Sequence, residues 1–280
     1  MKLHVINAGY FKLDGGAMFG VVPKTIWQKT NPPDENNLCS WATRCLLVED
    51  GDKLILIDNG LGDKQDESFF RHYYRHGDGS LLKSLHTAGF SPDDVTDMFL
   101  THLHFDHCGG GVSYDQDKLV LTFKNATYWS NRDHWKWATH PNRREKASFL
   151  KENILPIAES GHLSFVDAGE ESRFNAFDVL YVSGHTDKMM IPRIRVDGKV
   201  ICYVADLLPS VGHIPLAYVM GYDTRPLITL EEKEEFLNEA ADQQYILFFE
   251  HDPVNECCTV KRTEKGVRLD RVFTLAEAGL

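Results

Sequence analysis

Apolar residues fall along this chain in short runs bounded by Gly, Asp, Asn or Pro, and few segments keep the 3.6-residue rhythm of an amphipathic helix. Residues 44–49 (Arg-Cys-Leu-Leu-Val-Glu) and 53–58 (Lys-Leu-Ile-Leu-Ile-Asp) straddle Asp50-Gly51-Asp52, which predicts a hairpin. Met98-Phe99-Leu100 predicts a strand, and further strands are expected at about 119–129, 163–167, 177–182, 190–196, 199–205, 245–249 and 257–261. Helical spacing appears in three places. Leu81, Leu82, Leu85 and Ala88 share a face over 80–88, and 132–159 reads as helix broken at Pro141. Phe236, Leu237, Ala240 and Ala241 make a face within 230–244. The polar stretch Lys29 to Asn37 is a loop and not a linker, because strand-like sequence resumes at once. Strands predominate and helices come in blocks between them, which favours sheets packed on each other with helices outside. No repeat or low-complexity segment divides the chain, so we expect one domain over 1–280 with a helical insertion at about 130–160.

Composition narrows the function classes. With 280 residues, 42% hydrophobic and 25% charged, the chain can bury an ordinary core. A net charge of −11 argues against nonspecific binding to nucleic acid or an anionic membrane, both of which need a basic surface. No apolar run is long enough to span a bilayer, and the opening Met1-Lys2-Leu3-His4-Val5-Ile6-Asn7 lacks a signal peptide's apolar core. Six cysteines at 39, 45, 108, 202, 257 and 258 form neither a disulfide framework nor a Cys-x-x-Cys pair. These features predict a reduced, cytoplasmic protein.

The chemistry concentrates at Thr101-His102-Leu103-His104-Phe105-Asp106-His107-Cys108, followed by Gly109-Gly110-Gly111. Imidazole and carboxylate together suit zinc, iron or manganese, and glycines let the backbone fold tightly around an ion. Three other apolar runs also end in potential ligands: Val179–Val182 leads to His185, Val200–Val204 to Asp206, and Tyr245–Phe249 to Glu250 and His251. Strand ends on one sheet edge are rigid places to gather chemistry. One such histidine would be unremarkable core; four strand ends together point to a metal centre.

With these residues in hand, the chain resembles the metallo-β-lactamase-fold hydrolases, an α/β (α+β) family with a four-layer αββα sandwich. The His-x-His-x-Asp-His motif at 102–107 is that family's signature, and Gly184-His185-Thr186, Ala205-Asp206 and Glu250-His251-Asp252 stand in the order of its later ligands. The resemblance implies that His102, His104 and His185 hold one divalent metal ion, that Asp106, His107 and His251 hold a second, and that Asp206 bridges them. Asp58, in Leu56-Ile57-Asp58-Asn59-Gly60, would support the metal loop from behind. It further implies a hydroxide shared between the two ions as nucleophile, with Asp106 and Asp206 as the catalytic carboxylates that pass a proton to the leaving group. Zinc is the first expectation for the cofactor, with iron and manganese as alternatives.

A narrower resemblance rests on Leu13-Asp14-Gly15-Gly16-Ala17-Met18-Phe19-Gly20-Val21-Val22-Pro23-Lys24 and Trp27. It is similar to the branch containing the quorum-quenching N-acyl-homoserine lactonases. There this segment passes over the active site, so Met18, Phe19 and Trp27, with His213 and Tyr222, become candidates for the substrate pocket. Two departures weaken the lactone assignment. Many such lactonases have a Tyr three residues after the bridging Asp, where this chain has Pro209, and the usual second His after Gly184-His185-Thr186 is missing, the run continuing Asp187-Lys188-Met189. The expected function is therefore dinuclear hydrolysis of a small ester or lactone, with an organophosphate or aryl phospho- or sulfo-ester as the alternative on the same site. The expected partners are a small-molecule substrate and a second copy through the insertion, with no nucleic acid and no membrane. His72 and His76 read as a solvated helix face, Trp129, Trp135 and Trp137 around His134 as core of the insertion, and Cys108 as a packed thiol.

Overall fold

The hairpin at 44–58 is present, with both arms belonging to longer strands. The computed structural model describes residues 1–169 and 174–280. Its first sheet contains β1 (Lys2–Asp14), β2 (Leu38–Asp50), β3 (Lys53–Ile57) and β4 (Asp97–Phe99), and beyond a separate small hairpin of β5 (Val112–Asp115) and β6 (Lys118–Leu121) it continues with β7 (Thr127–Ser130) and β8 (Leu163–Phe165). The order is β1-β2-β3-β4-β7-β8, antiparallel at β2–β3 and parallel from β3 to β8. The second sheet runs β14-β13-β12-β11-β10-β9, with β9 (Phe177–Val182), β10 (Met189–Val196), β11 (Lys199–Tyr203), β12 (Ile246–Phe248), β13 (Cys257–Thr263) and β14 (Gly266–Phe273). Only β11–β12 is parallel there.

Eight α-helices are described: α1 (Gly15–Phe19), α2 (Lys24–Trp27), α3 (Glu67–Phe70), α4 (Leu81–Thr87), α5 (Phe105–Cys108), α6 (Arg132–Thr139), α7 (Lys151–Glu159) and α8 (Pro226–Gln243). Contacts group the chain into two compact units, residues 1–9 with 43–175 and residues 10–42 with 176–280. The core of the first unit is built from Leu47, Leu54, Leu56, Met98, Leu100 and Tyr128 in the strands, with Leu81, Leu85, Ile154 and Ile157 from the helices. In the second unit α8 lies on β13 and buries Phe236, Leu237 and Ala240. Cys257 and Cys258, adjacent in β13, are both wholly buried, so both faces of that strand are covered.

Several boundaries differ from the pattern reading. The run at 119–129 is two strands. The Tyr128 hydroxyl donates to the Gly111 carbonyl and accepts from the Phe123 N–H, which fixes the bend between them and lets β6 pair with β5 instead of the main sheet. Leu82 faces outward while Leu81 and Leu85 are buried, so the α4 stripe is narrower than three leucines suggested. Helix α8 begins at Pro226, whose fixed φ and missing N–H suit the first helical position. The insertion leaves helix from His140 to Leu150 before resuming as α7. Edge strand β14 has only Val267 buried among Arg and Asp, too sparse an alternation to stand out in sequence.

Candidate metal centre

In the first unit, the candidate ligands His102, His104, Asp106 and His107 follow β4, beside the end of β3. Asp58 follows β3 in a left-handed conformation (φ 56°), unusual for a residue with a side chain, and its N–H donates to the Phe99 carbonyl. Thr101, just past β4, donates its N–H to Asp58 Oδ1 (2.8 Å) and its hydroxyl to Oδ2 (2.6 Å). A hydroxyl has one proton, so Thr101 Oγ1 accepts from His102 Nδ1 at 3.2 Å and leaves Nε2 bare. His107 Nδ1 donates to Asp58 Oδ2 at 3.0 Å, with the same result for its Nε2. His104 faces Glu145 through Nε2 at 3.4 Å, which leaves Nδ1 bare. His102 Nε2 and His104 Nδ1 then face each other at 3.1 Å. Two imidazole lone pairs that close repel unless a cation or proton sits between them. A single Asp58 carboxylate thus sets the tautomers of two candidate ligands, one of them through Thr101, as outer partners of metal-bound histidines do.

The turn that makes this possible depends on glycine. A Cβ on Gly109 would lie 2.0 Å from the Leu61 carbonyl oxygen, and one on Gly110 2.3 Å from that of Asn59. Only a chain without side chains can lie this close to residues 59–61. His134, wholly buried on α6, accepts the Leu103 N–H at Nε2 (2.9 Å) and so supports the loop between His102 and His104. Glu145 also accepts from Trp137 Nε1 and Asn142, which holds it beneath His104. Neither role was legible in sequence; the one signal was the place of His134 among Trp129, Trp135 and Trp137.

The second unit carries its own candidate ligands, His185, Asp206 and His251. After β9, the Ser183 and Gly184 amides donate to the two oxygens of Glu232 on α8, at 2.6 and 2.9 Å, which fixes the approach to His185. Burial raises Glu232 above the usual carboxylate range, while the two amides oppose that shift. His185 Nδ1 faces Asp223 Oδ1 at 3.0 Å, and its Nε2 faces Asp206 Oδ2 at 3.0 Å. Asp206 lies in a short turn after β11, behind Ala205 in a left-handed conformation (φ 40°). Its other oxygen, Oδ1, faces His251 Nε2 at 3.1 Å, and His251 Nδ1 donates to the Ala42 carbonyl at 2.8 Å. One carboxylate therefore presents a different oxygen to each of two histidines. His251 Nε2 and Asp206 Oδ1 are both acceptors, which again calls for a positive charge between them. Burial opposes charge on His185, but Asp206 and Asp223 outweigh it and push its pKa up to about 10. A divalent ion satisfies the same carboxylates in place of that proton. All seven candidate ligands are buried.

The pocket candidates lie in the second unit. Phe19 stacks on His213 (centroids 4.4 Å apart) and on Trp27 (5.3 Å), and Met18 contributes its carbonyl to His213 Nε2 at 2.9 Å. His213 Nδ1 accepts from the Ser210 hydroxyl at 2.9 Å. Burial keeps this ring neutral, lowering its pKa to about 3 against the opposing pull of the Met18 carbonyl. Tyr222, by contrast, is exposed. His72 and His76 are at the surface, and the Cys108 thiol is buried against the Leu103 carbonyl. Asp223 was not singled out in sequence, because it is far from every motif. Among the described residues no helix is long and apolar enough to cross a membrane.

Comparison with known proteins bears on this arrangement. Residues 41–251 match the metallo-β-lactamase superfamily. The chain is 23% identical over 264 residues to the N-acyl homoserine lactonase AiiA of Bacillus thuringiensis subsp. kurstaki, covering 90% of this chain and 93% of that one. Among solved structures it is similar to a probable metal-dependent hydrolase from Staphylococcus aureus, with 27% identity, TM-score 0.88, and 98% and 96% of the two chains covered. It is also similar to AidC, a dizinc quorum-quenching lactonase solved with a product, with 27% identity, TM-score 0.77 and 96% and 95% covered.

Proposed function

Since this chain belongs to the metallo-β-lactamase superfamily and has its fold of mixed sheets and helices, we propose that it is a dinuclear metal-dependent hydrolase that opens small lactones or cleaves small carboxylic esters. We read its two units as parts of one hydrolase domain. His102, His104 and His185 would hold one ion, Asp106, His107 and His251 the other, with Asp206 shared. The observation that carries this reading is Asp206, whose two oxygens each address a separate histidine. A carboxylate placed this way suits a pair of ions better than a single one. Divalent ions held there lower the pKa of water towards 7 and polarise a carbonyl.

The chain's own residues do the rest. Asp58, Glu145, Asp223 and the Ala42 carbonyl hold the histidines as neutral donors aimed by their partners. Asp106 would take a proton from the attacking water and pass it to the leaving oxygen as the acyl–oxygen bond breaks. The lactone substrate class follows the activities of the similar proteins AiiA and AidC. Zinc-loaded protein should open N-acyl-homoserine lactones or hydrolyse aryl esters. Turnover of phosphotriesters alone, or of none of the three, would refute the carboxylic-ester reading. His104→Ala and Asp206→Ala should each reduce turnover by about a thousandfold or more, as loss of a metal-organising group does.

A further inference from the structure

A hydrolase that expels a poorly stabilised alkoxide needs a donor near the leaving oxygen, and Pro209, three residues past Asp206, offers none. A tyrosine stands beside the metal loop. Tyr73 follows α3, and its ring packs on Phe105 with centroids 4.7 Å apart and on Phe69 at 4.9 Å. Phe105 lies between candidate ligands His104 and Asp106, and its N–H is fixed by the Ser148 carbonyl at 2.9 Å. The Tyr73 ring is half-buried, while no described group hydrogen-bonds its hydroxyl.

The backbone around Tyr73 is held firmly for a loop. Asp66 caps α3 through the Phe69 N–H at 3.0 Å, and the Tyr73 N–H donates to the Phe70 carbonyl at 2.9 Å. Arg75 lies over the Phe70 ring, 3.4 Å from its centroid, and donates to the Gly62 carbonyl at 3.1 Å. A side chain placed by this much surrounding structure loses little freedom when it meets a substrate.

We propose that Tyr73 is the hydrogen-bond donor to the leaving oxygen of the substrate, fixed over the Asp106 side of the metal loop by Phe105 and Phe69. This rests on the ester-hydrolase reading above. The water oxygen bonds to the acyl carbon and its proton passes to Asp106; as the acyl–oxygen bond breaks, its electron pair goes to the leaving oxygen, which takes that proton from Asp106. Tyr73 keeps its own proton and stabilises the developing charge. Burial, reinforced by the charge of Asp106, pushes the phenol up to about 12, so it stays a neutral donor through the whole working range.

The test is Tyr73→Phe, which keeps the ring packing and removes only the hydroxyl. Its bound metal should equal the wild type's. For substrates with poor leaving groups, lactones and alkyl esters, kcat/KM should fall about 30-fold, the loss of one hydrogen bond to a charged oxygen. For 4-nitrophenyl esters, whose leaving oxygen needs no help, it should fall less than about twofold. The pH profile should keep its shape up to about pH 10, since the phenol does not titrate there. Equal losses on both substrate classes, or no loss on either, overturn the role of Tyr73 while leaving the hydrolase reading intact. A wild type inactive on both classes overturns the two together.

Discussion

At the residue scale, the site is a set of solved tautomer problems. Each candidate ligand histidine has one nitrogen committed to an oxygen (Thr101, Glu145, Asp58, Asp223 or the Ala42 carbonyl), and the other is left bare. Asp223→Asn retains an oxygen acceptor for His185 Nδ1 but loses the charge. Metal affinity, measured by competition with a chromogenic chelator, should fall about 10- to 100-fold. His213 makes a different prediction, about stability. It titrates near 6.5 unfolded and about 3 folded, so the unfolded chain takes up the proton first. The stability contributed by its neutral form is full above about pH 6.5 and is lost as pH falls towards 3, at up to ~1.4 kcal/mol per pH unit. Urea unfolding at pH 7, 6, 5 and 4 should show that slope, and His213→Gln should flatten it while lowering stability at pH 7. An unchanged slope in the variant would remove His213 as its source.

At the element scale, α8 does more than cover its sheet. Glu232 grips the turn before His185, and Lys233, wholly buried, donates to the carbonyls of Pro215, Leu216 and Tyr218 at 2.9, 3.1 and 2.8 Å. Burial drives the Lys233 amine down to about 7, opposed by Asp223. Lys233→Met leaves three half-buried carbonyls without their charged donor and should cost on the order of 1–3 kcal/mol. Gly184 packs against the same helix, where a Cβ would lie 2.3 Å from the Thr229 nitrogen. Gly184→Ala should therefore cost about 1–3 kcal/mol through overpacking and weaken metal binding by displacing His185. Thermal melts and metal titration of both variants check this. The strands carrying these loops were legible because apolar runs such as Val179–Val182 alternate little and end abruptly at Gly or Asp. The break at 122–126 was not, since it depends on a Tyr128 hydroxyl bond that periodicity cannot register.

At the scale of the whole molecule, the proposed metal centre would tie folding to metal binding, because its buried acceptors need a cation between them. Removing the ions with a chelator should lower the melting temperature on the order of 10 °C, because saturation at about 1,000 times Kd contributes ~4 kcal/mol. No shift would count against tightly held ions. A net charge of −11 also predicts that added RNA leaves the melting curve unchanged at low salt.

By itself, the sequence determined the family, the order of the candidate ligands and which strand ends carry them. Those features are local, since a motif and the run of apolar residues before it lie within a few positions of each other. Only the tertiary structure revealed Asp223, Glu145 and His134 beside His185, His104 and Leu103, the Glu232 clamp, and the Tyr73 ring on Phe105. It also placed Phe19, Trp27 and His213 in one stack. These partners lie tens of residues or more from what they orient. A hydrogen bond or ring contact depends on distance in space, which no spacing along the chain encodes.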